Sequence, residues 1–181
     1  MTRSNQTPAR ETQTRQASRG QRWLLIAVAA TIALGCAALS SWSDRHLFVI
    51  NASASLPNWA YWIDRMGKPV VGSHLAFLPP RNDLVTVHFG STPPLFVKRV
   101  YGVAGDVVTR SGRALFVNDR PVGVAKPTSR TGMTLTAASS GLIPAGCVYA
   151  GTPHPDSFDS RYAEIGLVCA NRIVGTARPI L

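Results

Sequence analysis

The sequence predicts a mostly β protein: a compact antiparallel β-domain preceded by one N-terminal transmembrane helix. Three observations predict it. An uncharged apolar run, 23–42, is as long as the roughly 20 residues a bilayer helix needs. After it, short runs rich in Val, Ile, Phe and Tyr alternate with Gly, Pro, Asn and Asp, the pattern of strands and turns. No long stretch beyond residue 42 carries the 3.6-residue apolar period of an amphipathic helix, and no internal repeat is visible.

Residues 1–22 are rich in Thr, Gln, Ser and Arg with no apolar period, and are expected to be a disordered basic tail on the cytoplasmic side. The apolar run that follows has a tryptophan at each end, Trp23 and Trp42, as interfacial anchors do. Five arginines precede it, so the positive-inside rule puts the N-terminus in the cytoplasm and residues 45–181 on the exported side. A cleaved signal peptide is the competing reading. The run is longer than the roughly 7–15-residue core of such peptides, although Ala-Leu-Ser offers small residues. A lipoprotein site at Cys36 is weaker, because Ala33 stands where such sites usually carry leucine.

Leu47-Phe48-Val49-Ile50-Asn51 reads as a short strand, and the small residues and proline of 52–57 make a bend closed by the aromatic cluster Trp59, Tyr61 and Trp62. Aromatic clusters usually belong to cores, but Trp59 and Trp62 also suit a bilayer boundary. Residues 73–78 and 84–89 read as strands ending at Pro79-Pro80 and Gly90. Leu95–Ala104 reads as a buried strand ending in the turn Gly105-Asp106. Residues 106–109 and 114–118 make a hairpin about Ser111-Gly112. Residues 125–141, small and polar without a period, read as an exposed loop, and 147–150 and 172–175 as closing strands.

The net charge is +10, yet no basic helix or basic–aromatic motif accompanies it, so nucleic acid is not an expected partner. Cys36, Cys147 and Cys169 lack metal-ligand spacing and C-x-x-C, and no metal or cofactor is expected. Cys147 and Cys169 could pair in an oxidising compartment; spacing alone leaves this open.

Lys98 lies inside the 95–104 strand, where a charged side chain is seldom buried unless paired. Burial disfavours the ammonium form, and a lysine brought near neutrality can act as a general base. The bland alternative puts Lys98 on the wet face of an edge strand with Arg99 turned inward. None of His46, His74, His88 and His154 accompanies a Gly-x-Ser-x-Gly serine, which argues against a Ser-His-Asp triad.

Ser53-Ala54-Ser55-Leu56-Pro57, the Lys98 strand and Ser157-Phe158-Asp159-Ser160-Arg161-Tyr162 follow one another behind the membrane segment. In that order, over roughly residues 45–181, they resemble the type I signal peptidase family of serine–lysine proteases. The Ser-Leu-Pro and Ser-Phe-Asp-Ser-Arg-Tyr forms look most like its TraF-type conjugative transfer branch. The resemblance implies a β-domain of the signal-peptidase type, with Ser55 as nucleophile and Lys98 as general base. It implies Ser53 as a side-chain donor to the oxyanion and Ser157 as the serine that orients the lysine amine. Asp159 and Arg161 correspond to the family's structural ion pair. Two departures, Leu56 in place of the usual Met and Gly151-Thr152-Pro153-His154-Pro155 in place of Gly-Asp-Asn, favour the specialised branch over housekeeping secretion.

The expectation is a single-pass inner-membrane serine endopeptidase with a periplasmic catalytic domain. The implied partners are a pilin or other membrane-tethered preprotein, the inner-membrane lipid and a conjugative transfer apparatus. Its rivals are a general leader peptidase, a LexA-like self-cleaving protein and a non-catalytic periplasmic module of a transfer apparatus. The LexA-like reading lacks its DNA-binding domain, because a membrane span stands in that place.

Overall fold

The structure is a computed structural model that describes residues 19–50 and 56–180. Helix α1 runs Arg19–Arg45, longer at both ends than the apolar run itself, and with a mean hydropathy of 2.2 over an 18-residue stretch it is long and apolar enough to cross a membrane. The chain divides into two compact units, Met1–Trp42 and Ser43–Leu181.

The second unit is built on two antiparallel sheets. The larger takes β1 (His46–Ile50), β2 (Ala60–Asp64), β3 (His74–Phe77), β4 (Phe96–Gly102), β9 (Cys147–Gly151), β10 (Val168–Cys169) and β11 (Ile173–Pro179). Their spatial order is β1-β2-β11-β3-β4-β9-β10. The smaller takes β5 (Val107–Ser111), β6 (Ala114–Val117), β7 (Arg120–Val124) and β8 (Gly141–Leu142) in the order β7-β6-β5-β8.

Strand alternation divides the larger sheet's side chains between two cores. Leu75, Phe77, Phe96, Val100 and Ala150 pack together on one face. Ala76, Val97, Tyr61, Ile63 and Leu56 pack on the other. In a third core, Val108, Leu115 and Val117 of the small sheet join Ile143 and Tyr149 of β9 and the turn before it.

Two expectations are corrected. Residues 84–89 are not a strand but the short helix α2, Asp83–Phe89. Asn82 caps it, its Oδ1 accepting from Val85 N–H at 2.9 Å, which satisfies an otherwise orphaned donor. Leu84 and Val85 are adjacent and both buried, which a half-buried strand's alternation disfavours and a helical stripe allows.

Residues 125–141 are not wholly an exposed loop. Ala125, Leu135 and Ala137 are buried, and single β-bridges join Thr128 to Thr134 and Ala137 to Tyr162. The aromatic cluster after the bend belongs mainly to β2, where Tyr61 is buried, while Trp59 just ahead of the strand stays 53% exposed. The strands β7, β8 and β10 carry no sequence signal of their own, being very short or interrupted by Pro121 and Gly123.

Cys147 and Cys169 face each other across β9 and β10 and are joined by a disulfide. The loop it closes contains Ser157, Asp159 and Arg161.

Candidate active site

Lys98 is the third residue of β4, an interior strand between β3 and β9. Its alternation partners Phe96 and Val100 point to the same apolar face, and Leu75 stands opposite it on β3. Lys98 is consequently buried at 6% exposure, while the next residue, Arg99, is exposed. The edge-strand alternative is thereby excluded. Of its apolar neighbours along β4, Phe96 and Val100 share the lysine's face and Val97 belongs to the opposite core. The Phe96 ring centroid lies 5.7 Å from Lys98 Nζ.

The amine does not sit in hydrocarbon alone. Lys98 Nζ donates to Ser157 Oγ at 2.8 Å, a contact between residues 59 positions apart, and Ser157 is itself buried. Burial pushes the Lys98 pKa down from the ordinary 10.5 to about 8. The negative charge of Asp159 opposes that fall and the positive charge of Arg161 adds to it. Near neutral pH about a tenth of such an amine is already unprotonated and able to accept a proton.

Asp159 and Arg161 form a buried, two-pronged ion pair. Arg161 Nε donates to Asp159 Oδ1 at 2.8 Å and Nη2 to Oδ2 at 2.7 Å. Nη2 also donates to His154 O at 2.8 Å, and the Thr152 N–H donates to Asp159 Oδ2 at 3.2 Å. The pair thus ties the residues on either side of Ser157 into one rigid turn. Burial works against the guanidinium charge, but the hydrogen bonds and charge of Asp159 outweigh it and raise its pKa.

One supporting position carries no signal in the sequence. A Cβ at Gly123 of β7 would come within 2.7 Å of Arg161 Cδ, and its φ of +140° disfavours any other residue. A lone glycine in Arg-Pro-Val-Gly-Val reads as a plain strand interruption, so nothing local announces that it makes room for a buried arginine.

The structure therefore brings Lys98, Ser157, Asp159 and Arg161 into one neighbourhood. Ser53 and Ser55, read from the sequence as oxyanion donor and nucleophile, lie outside the described residues. The described chain leads toward them from β1, which ends at Ile50, and resumes at the buried Leu56. Val49, Ile50, Lys98 and Ser157 all line one cleft of about 780 Å³. Phe89, Phe96, Leu135 and Phe158 supply its apolar lining. Among the described residues no group of three or more His, Cys, Asp or Glu side chains is placed to hold a metal ion.

The β-domain thus buries a lysine amine against a serine hydroxyl beside a buried ion pair. The sequence model of the family described as "Signal peptidase, peptidase S26" matches residues 20–181, and the chain belongs to that family. Signal peptidase I U of Bacillus subtilis (strain 168) is 28% identical over 103 residues, 53% of this chain and 54% of that protein. The chain thus spans about half the length of this curated relative. A signal peptidase I crystal structure from Enterococcus faecalis V583 matches with a TM-score of 0.38 and 26% identity, covering 60% of this chain and 95% of that one.

Proposed function

We propose that this protein is a membrane-anchored serine endopeptidase of the exported face, with Ser55 as nucleophile and Lys98 as general base. One observation carries the reading: a buried lysine amine, lowered to about pKa 8, held at 2.8 Å by the hydroxyl of Ser157. A serine hydroxyl is a weak nucleophile until a neighbour takes its proton, and a lysine can do so only when neutral.

In this mechanism the neutral amine takes the Ser55 proton as the hydroxyl oxygen attacks the scissile carbonyl. The Ser55 N–H and the Ser53 hydroxyl stabilise the resulting oxyanion, an interaction worth about 3–4 kcal/mol for a single donor. The Lys98 ammonium then protonates the leaving amine, and an ester on Ser55 remains. Water or a second amine resolves it, giving hydrolysis or peptide-bond formation. Ser157 keeps the amine's direction, and Asp159–Arg161 keeps Ser157 in place. Every proton in these steps moves between groups of the chain, the substrate and water.

The substrate in this reading is a small membrane-tethered precursor, a conjugative pilin processed by a TraF-type peptidase, with cyclisation available through the acyl-enzyme. Leu56 and the Gly151–Pro155 segment support that branch. Helix α1 anchors the enzyme with its N-terminus cytoplasmic, and the exposed Trp59 suits the interfacial zone. Anchoring confines enzyme and precursor to one surface and raises their effective concentration.

The similarity to Signal peptidase I U supports a second reading, a general leader peptidase acting on many preproteins. Mass spectrometry of membrane precursors in cells with wild-type or Ser55→Ala protein tests both. A single unprocessed pilin in the variant supports the specialised enzyme, and many uncleaved preproteins support the general one. Unchanged processing throughout overturns the protease reading.

A further inference from the structure

We propose that the mouth of the Lys98 cleft selects substrate segments that carry an acidic group, with Arg130 as the reader and Lys126 beside it. This rests on the endopeptidase reading and adds the chemistry of the segment the cleft takes.

Most of the cleft's lining is apolar, and three of its charged residues, Lys126, Arg130 and Asp156, reach solvent at its mouth. There two cations share one carboxylate: Lys126 Nζ pairs with Asp156 Oδ1, and Arg130 Nη2 lies 3.0 Å from Asp156 Oδ2. Hydrogen bonds from Lys126 and Arg130 hold the Asp156 carboxyl down to about 2, so it stays ionised. One positive charge is left unbalanced. Among the described residues lining the cleft, Asp156 is the one acid; the other titratable groups are Lys98, His88, His154 and Tyr162. Asp159, the nearby buried acid, is already committed to Arg161.

Exposure sorts the three charges. The Asp156 side chain is 26% exposed, against 48% for Lys126 and 79% for Arg130, so an approaching chain meets the cations first. A guanidinium presents five N–H donors in a planar fork, and Asp156 engages one nitrogen of Arg130. The remaining donors match a second carboxylate. Position links this reader to the chemistry. Asp156 immediately precedes Ser157, whose hydroxyl accepts from Lys98, so one segment carries the anchor of the cations and the partner of the amine.

An exposed pair of this kind changes binding by about two- to fivefold and is weakened by salt. The test uses the full chain in detergent micelles and end-blocked peptides with a small-residue core, of the kind leader cleavage sites show. One Glu or Gln is moved through the positions flanking the core. Cleavage efficiency (kcat/KM) is read for wild type, and peptide binding by fluorescence anisotropy for Ser55→Ala. The expected result is a Glu-over-Gln preference of about two- to fivefold at one or two positions, carried by KM. High salt should erase it, and Arg130→Glu should invert it.

A ratio of one at every position, or a preference that survives both Arg130→Glu and Lys126→Glu, overturns the proposal while cleavage itself continues. Peptides that bind but are never cleaved by wild type overturn the protease reading instead, and the anisotropy ratio still decides the charge preference.

Discussion

Lys98 and Arg161 are both buried cations, at 6% and 2% exposure, yet their surroundings drive them in opposite directions. Arg161 meets a carboxylate with two parallel hydrogen bonds and has its pKa raised. Lys98 meets a neutral hydroxyl and an aromatic ring, and desolvation pulls it down to about 8. The shared acid, Asp159, acts on both but forms its ion pair with the arginine. Burial alone therefore does not decide the direction in which a cation's pKa moves. Here it falls where the partner gives direction without giving charge.

The sharpest way to break this contrast is to exchange the two chemistries. Lys98→Arg leaves a cation in place that cannot become a neutral base, and cleavage should fall by about 10²–10⁴-fold. Activity retained in that variant, measured as precursor turnover, would falsify the base assignment. Next in size is Asp159→Asn, which strands a buried guanidinium and should cost about 3–5 kcal/mol in denaturant unfolding. In the folded fraction the same change removes the charge that raises the Lys98 pKa. The acid limb of kcat/KM, which in wild type should rise through about pH 8, should then move to lower pH.

Removing the Cys147–Cys169 disulfide with paired alanines releases the loop that carries Ser157, Asp159 and Arg161. For a separation of 22 residues the expected loss is about 3 kcal/mol, read as a lowered melting temperature. An unchanged melting temperature would show that the ion pair holds the loop unaided. The gentlest test is Lys98→Met, which should stabilise the inactive protein by at most about 3 kcal/mol at neutral pH. Between about pH 8 and 10.5 the unfolded chain binds a proton the folded chain has lost, so wild-type stability rises with pH there. The advantage of methionine should therefore be full below pH 8 and vanish above 10.5. A gain that ignores pH would mean the amine is not the source of the cost.

Local pattern carries much of this molecule. The apolar run 23–42 and the strand around Lys98 are legible because hydropathy and alternation act over neighbouring residues, and both recur as α1 and β4. Residues 84–89 mislead because Val-Thr-Val favours a strand in isolation. The Asn82 cap and the burial of Leu84 with Val85 make the segment a helix. Ala125, Leu135 and Ala137 look like loop residues until the bridge from Ala137 to Tyr162 and the third core claim them.

By itself the sequence determined the apolar helix with its basic tail, the strand around Lys98, and which side chains have the chemistry for a serine–lysine site. Only the tertiary structure decided that Lys98 faces inward, that Ser157 reaches it across 59 residues of chain, and that Cys147 bonds Cys169. The physical reason is range. Propensity and periodicity are set by a residue's neighbours along the chain, whereas desolvation and electrostatic coupling are set by neighbours in space, which exist only once the sheets have packed.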